Sequence, residues 1–246
     1  VDPGTEPKTA RASVTDETIV QIKAMITSGD FPPGGRLPTE RLLAGELGVS
    51  RNSLREAIRA LTLVGVLESR QGDGTYVTSL APGLLLDAFS MFVELSADAT
   101  VVDVLAVRRV LESEAAARAA VRITAEQLEA LEACLVEMRL DPQRGEAEVD
   151  EVVAADVRFH RIMCQAAGNP VLGALIESLS SRTIRARVWR GHKEQGVFAR
   201  VLAEHEAILA ALTDRDPTRA AACAAAHVAA VEAFLRIRTP DFRGSP

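Results

Sequence analysis

Residues 29–77, GDFPPGGRLPTERLLAGELGVSRNSLREAIRALTLVGVLESRQGDGTYV, decide the fold. The stretch opens on FPPGGRLP, a Pro/Gly-rich connection that cannot be helical. Thr39 is placed to cap a short helix with Leu42, Leu43 and Leu47 inward, stopped by Gly48. Ser50 caps the next helix, SRNSLREAIRALTLVG, in which Leu54, Ile58 and Leu61 recur at helical spacing and face inward. After Gly65 come two short β-prone runs, VLESR and TYVTS. Gln71-Gly72-Asp73-Gly74 joins them as a tight hairpin tip. Upstream, Asp16 can cap an earlier helix that puts Ile19, Ile22, Met25 and Ile26 on one face and ends at Gly29. Three helices and a hairpin within residues 16–79 make the pattern of a winged helix-turn-helix.

Beyond Pro82 the character changes. Breaks rich in Gly, Pro, Asn, Asp or Thr fall near 97–100, 122–124, 140–145, 168–170, 191–193 and 213–217. They separate seven expected helices: 83–95, 100–121, 124–139, 147–167, 170–190, 194–212 and 216–236. Short loops between amphipathic helices predict an antiparallel all-α bundle. The chain is therefore expected to be mainly α. Its parts are a tail (1–15), the winged helix-turn-helix (16–79), a linker (80–83), the bundle (84–236) and a second tail (237–246).

Composition bounds the function. The 246 residues carry 28 Lys+Arg against 34 Asp+Glu, a net charge of −6, and 48% are apolar. That excludes disorder for the bulk of the chain. Cys134, Cys164 and Cys223 lie far apart with no CxxC pair, which argues against a disulfide scaffold and fits a reducing compartment. No apolar run is expected to reach the roughly 18–20 residues that span a bilayer. The opening VDPGTEPKTA has no hydrophobic stretch and does not read as a signal peptide. A cytoplasmic protein is expected. Global acidity argues against nucleic acid, but residues 1–79 hold 9 basic and 10 acidic side chains, so the negative charge sits almost wholly beyond them. A small reading head on an acidic body would look like this.

In the third helix Arg51, Asn52, Ser53 and Arg55 lie in the first turns, away from Leu54 and Ile58. Short helices deliver such side chains to base edges in the major groove, and Arg suits bidentate recognition of guanine. Asn52 and Ser53 can contact bases or phosphates, and Arg41 points toward the same groove or its backbone. Thr39, Ser50 and the free N–H groups at the helix starts are phosphate-binding candidates. Gly72 and Gly74 carry little bulk and let the hairpin tip approach the backbone or minor groove, with Arg70 beside it for charge. The plainer alternative is a solvated basic face on a small helical subdomain.

PPGxxLPxER, LGVSRxxLREA and a wing ending GxGTYV together closely resemble the N-terminal domain of GntR-type bacterial transcription regulators, over residues 16–78. That resemblance implies base contacts by Arg41, Arg51 and Arg55, a close approach of the wing glycines, and a homodimer on a short palindromic operator. Two modest basic surfaces would then act together while the body stays acidic.

The helical part holds four histidines, His160, His192, His205 and His227. Asp156 and His160 are four apart and share one helix face. His205 and His227 sit on later helices whose apolar partners face the core. One carboxylate and three imidazoles from three helices make a plausible ligand set for Zn, Ni, Fe, Co or Mn. Against it stands the ordinary fate of a core histidine, a simple hydrogen bond. His192, after Gly191 at an expected break, reads as a surface or cap residue. Asn169 can cap the helix at Pro170 or line a pocket. Arg185, Arg187, Trp189 and Arg190 can close a cavity, although a solvated or dimer-facing surface suits most of them better.

Residues 84–235 are similar to the FCD-type effector domain of the fatty-acid-regulator-like branch, through VLAVRRVLESEAAARAA, DxxFH, AAGNPVL, AEHEAILAAL and RAAACAAAHVAAVEAFL. The resemblance implies one divalent metal per chain, Zn by preference, on Asp156, His160, His205 and His227. It also implies that Arg108 approaches the carboxylate of a bound effector. Alternatively, Arg108 and Arg109 pair with Glu112 or Glu114 at helix spacing. Members often carry an acid two residues before that Arg, where this chain has Ala106. The extra helix at 83–95 implies the seven-helix form.

The expected function is a DNA-binding regulator, a repressor before an activator, responding to a small carboxylate, with no catalysis and no membrane partner. Two other readings remain: a metal-dependent enzyme on a DNA-binding domain, and a constitutive DNA-binding protein with a structural metal. Glu206, beside His205, is the nearest candidate base for an enzyme, and helix geometry turns it away.

Overall fold

The computed structural model describes residues 13–84, 86, 101–139, 148–194 and 196–243, and the chain divides into two compact units, 1–88 and 89–246. The helix expected over 83–95 and the breaks at 97–100 and 140–145 lie largely outside the described residues. The division falls just past the expected linker because Leu84 still belongs to the first unit: a Cβ on Gly65 would sit 2.6 Å from its carbonyl oxygen.

The first unit is built from α1 (Val14–Ser28), α2 (Glu40–Leu47), α3 (Arg51–Leu63), β1 (Leu67–Arg70) and β2 (Gly74–Val77). The N-cap of α1 falls three residues before the expected Asp16. Ser13 is the N-cap, and Asp16 closes a capping box from the third position, so both side chains satisfy amide groups a helix start leaves bare. Gly29 ends the helix in the left-handed region at φ 91°. Ser50 Oγ accepts from Ser53 N at 3.1 Å and caps α3 as expected, whereas Thr39 caps α2 by position without a side-chain bond. Leu54, Ala57, Ile58 and Leu61 form the buried face of α3. They close one core with Ile22, Phe31, Leu37, Leu43, Leu67 and Val77. Leu42 corrects the expected inward set: it is 53% exposed, and Ala44 takes the inward place beside Leu43. The hairpin is antiparallel, pairing Leu67 with Val77 and Arg70 with Gly74.

Six helices are described in the second unit: α4 (Val101–Arg122), α5 (Ala125–Met138), α6 (Glu148–Ala166), α7 (Pro170–Lys193), α8 (Val197–Thr213) and α9 (Pro217–Arg243). Helix α9 packs along α4, and α5 packs against α6. Fully buried alanines, Ala116, Ala119 and Ala120 on α4 with Ala220 and Ala224 on α9, let backbones approach closely around a core of Leu131, Met138, Phe159, Met163, Ile208 and Leu212. Asn169 Oδ1 accepts from Leu172 N at 3.1 Å and caps α7.

Two expected boundaries move. Helix α7 runs through the break expected at 191–193. Gly191 lies inside it because an added Cβ would stand 2.7 Å from the Phe198 ring and 2.9 Å from Val149, so the glycine marks a close approach rather than a stop. His192 is accordingly an exposed residue of the last turn. Helix α9 continues to Arg243, through most of the expected C-terminal tail. Its Pro217–Ile237 stretch has a mean hydropathy of 1.5 and, contrary to expectation, is long and apolar enough by length and composition to cross a bilayer. This helix packs along α4 and carries the buried polar residues His227 and Glu232.

Candidate nucleic-acid interface and metal centre

In the first unit Arg41, Arg51 and Asn52 are exposed, and among the described residues no carboxylate pairs with either arginine. Arg55 is held. Its Nε donates to Glu40 Oε1 at 3.2 Å and its Nη2 to Glu40 Oε2 at 2.7 Å, which ties the start of α2 to the first turns of α3. The bond from Arg55 lowers the Glu40 carboxyl below its ordinary value. Ser53 is half-buried, its hydroxyl 2.9 Å from that of Ser50. Thr39 is exposed at the start of α2.

The wing is more constrained than its glycines suggest. Arg70 is not a loose charge beside the tip: its Nη2 donates to Glu68 at 2.6 Å and its guanidinium lies 4.1 Å from the Tyr76 ring centre. Arg36, which sequence reasoning passed over, donates to the Asp73 carbonyl and lies against Gly74, where a Cβ would meet its Nε at 2.9 Å. Tyr76 Oη donates to Asp73 Oδ2 at 2.7 Å. Gly72 is exposed at φ 75° with open space around it.

In the second unit Asp156 and His160 (α6), His205 (α8) and His227 (α9) converge, all four buried, with ligand atoms within 4.8 Å of one another. Asp156 Oδ1 lies 3.1 Å from His205 Nε2, 3.6 Å from His160 Nε2 and 3.8 Å from His227 Nε2. The far nitrogen of each ring already faces an acceptor. His160 Nδ1 is 2.6 Å from Glu112 Oε2, His205 Nδ1 is 2.8 Å from the Val201 carbonyl, and His227 Nδ1 is 2.9 Å from Glu204 Oε2. With protons on the three Nδ1 atoms, the three Nε2 atoms would be free to ligate a metal, as a metal-binding histidine needs; without one, His160 Nε2 and His227 Nε2 lie 3.2 Å apart, in hydrogen-bond contact with each other. His205 Nε2 is fully buried with no hydrogen-bond partner among the described residues. An N₃O donor set with one orphaned nitrogen fits a divalent transition metal.

Electrostatics agree with that protonation at His227 but not at His160, where burial would lower the ring and Glu112 and Asp156 raise it above its ordinary value, toward the charged form. Burial alone would raise the Asp156 carboxyl. Arg187, which donates to Oδ2, and the His160 and His205 rings hold it well below the usual carboxylate range. Burial and the neighbouring rings push His227 well below its ordinary value, so its imidazole is neutral.

Arg108 and Asn169, the two residues expected to meet an effector, have local partners. Arg108 is fully buried and donates to Glu112 Oε1 and Thr183 Oγ1, while Arg109 pairs with Glu232 at 3.3 Å. Glu206 points away to Arg139, as helix geometry requires. A narrow pocket, open at its mouth, lies against Asp156 and His227. Its cations are Arg187 and Arg190, and neither Arg108 nor Asn169 lines it. Arg187 and Arg190 are thus buried rather than solvated. Sequence reasoning named Glu112 only as a partner for Arg108 or Arg109, which it is for Arg108, and missed its contact with His160. It missed Glu204 altogether, whose only local signal was a carboxylate on a helix that carries a ligand histidine.

A winged helix-turn-helix ahead of an all-α unit with a buried Asp/His cluster defines a DNA-binding regulator with a sensing domain. Residues 15–77 match the profile described as bacterial regulatory proteins, gntR family, and residues 103–230 match that of the FCD domain. The HTH-type transcriptional regulator LutR of Bacillus subtilis is 32% identical over 218 residues, which cover 86% of this chain and 96% of that protein. The galactonate operon transcriptional repressor of Escherichia coli is 30% identical over 207 residues, covering 82% and 88%. The solved structure of Streptococcus agalactiae GntR superposes with a TM-score of 0.64 at 26% identity, covering 90% of this chain and 100% of that one. The chain belongs to the gntR family of bacterial regulatory proteins, in the branch that carries an FCD domain. It is a DNA-binding regulator rather than an enzyme.

Proposed function

We propose that the chain is a metal-containing transcriptional repressor whose operator binding responds to a small organic acid. The observation that carries this reading is the convergence of Asp156 Oδ1 with the Nε2 atoms of His160, His205 and His227, each ring having its other nitrogen against an acceptor. A bound divalent ion, Zn by preference and Ni, Mn, Fe or Co by the same donor set, supplies a Lewis-acidic centre for an acid's oxygen. The galactonate repressor, named for an operon of sugar-acid metabolism, supports an acid as the class of effector.

At the other end Arg41, Arg51 and Arg55 read base edges, with Asn52 and Ser53 on bases or phosphates. Thr39, Ser50 and the helix-start amides hold phosphates, and the Gly72–Gly74 tip with Arg70 follows the backbone. Arg55 exchanges Glu40 for a base edge or keeps it as a brace. A homodimer places two such heads on a short palindrome, and an acid that prefers one head spacing shifts operator affinity by that preference.

The test is thermal stability of the purified chain against a panel of small carboxylates, with Zn²⁺ present and after chelation. A shift for one class of acid, lost on chelation and in His205→Ala, is expected. Chelation lowering stability with no acid producing any shift would reduce the metal to a structural part and remove the acid-sensing reading.

A further inference from the structure

The pocket is the layer one helical turn away from the metal ligands. Val152 lies four residues before Asp156, Val201 four before His205, and Val231 four after His227, and all three line it together with Val153, Val197 and Phe198. Among the described residues no hydroxyl or amide side chain lines it. Its polar groups are Asp156 and His227, which belong to the ligand cluster, and the two arginines. Arg187 is committed to Asp156.

Arg190, one turn further along α7, is different. Its side chain is 4% exposed, its Nε donates to Glu194 Oε2 at 2.6 Å, and its guanidinium lies over Phe234. Its Nη1 is buried with no hydrogen-bond acceptor among the described residues. A buried cation keeping one donor without a partner at the wall of an apolar pocket is a seat for an anionic oxygen.

We infer that the acid sensed by this domain is a short dicarboxylate with an unsubstituted hydrocarbon middle, and that Arg190 Nη1 receives its second carboxylate. The inference rests on the acid-sensing reading above and names the class of acid. One end meets the Asp/His layer, the methylenes lie against Val152, Val201 and Val231, and the other end meets Arg190. Four residues of helix rise about 6 Å, close to the span between the ends of a four- or five-carbon diacid. A polyhydroxylated acid would bury each hydroxyl against valine without a partner, a loss that hydrogen-bonding sites punish heavily.

Calorimetric titration of the Zn²⁺-loaded full chain with succinate, glutarate, butyrate and gluconate tests this. Succinate or glutarate is expected to bind roughly ten- to a hundredfold tighter than butyrate, which has succinate's length but lacks the second carboxylate. Gluconate is expected to bind weakest. In Arg190→Gln the succinate-to-butyrate ratio falls toward one, whereas Arg190→Lys, which keeps the charge, retains part of it. Because the ratio is read first on the native chain, a variant that fails to fold leaves the test intact. Butyrate binding as tightly as succinate, or gluconate binding tightest, overturns the inference while the acid-sensing reading stands. No binding by any of the four removes this inference, and the broader acid panel then decides whether the reading survives.

Discussion

Glu204→Gln separates a metal centre from a cluster of core histidines. Glu204 Oε2 accepts from His227 Nδ1 at 2.9 Å, and its side chain is 21% exposed. Glutamine keeps the size and an accepting oxygen but loses the charge that makes the His227 ring a stronger donor through Nε2. Outer carboxylates of this kind are worth roughly ten- to a hundredfold in metal affinity. Partial solvent access puts Glu204 at the lower end, about tenfold, or about 1.4 kcal/mol. The fold should barely notice, with the metal-free chain changing by less than about 1 kcal/mol, because Glu204 is partly solvated and the neutral His227 ring keeps an accepting oxygen. Glu112→Gln is the contrasting case. Glu112 faces His160 Nδ1 at 2.6 Å and also neutralises fully buried Arg108, so removing its charge strands a guanidinium in the core. A broken buried pair costs about 3–5 kcal/mol, and the metal-free protein should lose stability on that scale. Zn²⁺ competition against a chromophoric chelator, paired with denaturant unfolding of the metal-free chain, reads both quantities. Unchanged Zn²⁺ affinity in Glu204→Gln, with His205→Ala equally without effect, would refute the assignment of this cluster as a metal site.

Three further outcomes follow from the geometry. Arg51→Ala and Arg55→Ala should each cost about 1–3 kcal/mol on an operator selected in vitro and much less on random duplex DNA, measured by fluorescence anisotropy at fixed salt; equal losses on both duplexes would make them phosphate contacts. Glu40 has a lowered folded-state value owing to Arg55, so its pairing adds stability above the ordinary glutamate value of 4.5 and loses it as pH falls through the lowered one. Thermal melts of Glu40→Gln should therefore fall below the native chain at neutral pH and converge with it in acid, and a gap that widened in acid would reverse that sign. In Gly191→Ala, about 1 kcal/mol of gained helix propensity offsets part of the roughly 1–3 kcal/mol of overpacking against Phe198 and Val149. The melting temperature should drop modestly, while the Phe198 ring, turned into the pocket, removes most of any acid-induced shift; an intact shift would place the acid elsewhere.

What could be read in advance divides along a physical line. Features set within one helix or one turn were legible: Ser50 as a cap, Gly29 and Gly48 as stops, the Leu54–Ile58–Leu61 face, and Asp156 with His160 on one face of α6. Even there, short range has limits. Helix α2 has only eight residues, too few for periodicity to settle whether Leu42 or Ala44 faces in. Gly191 resembled a stop because its reason for being glycine, the Phe198 ring, lies across a turn on the next helix.

The site was legible in its ligands and not in their supports, for the same reason. Glu112 had Arg108 and Arg109 as helix-spaced suitors, and nothing in the sequence announced that its second oxygen would reach His160 on α6. Glu204 sits beside His205 in the chain yet serves His227 on another helix. Of the two roles open to Arg108, an effector contact or a helix-spaced pair with Glu112, the pair is what forms, and Thr183, 75 residues away, takes a second donor. In the sequence Arg190 reads as closing a cavity or, by preference, as solvated or dimer-facing, because a charged residue near a helix end usually is. Its burial comes from Phe234 and the pocket wall, contributed by other helices. A charged side chain acquires a binding role when the fold buries it and leaves one of its donors without a partner. Both conditions depend on contacts between helices, so Arg190 could be recognised only after the bundle was assembled.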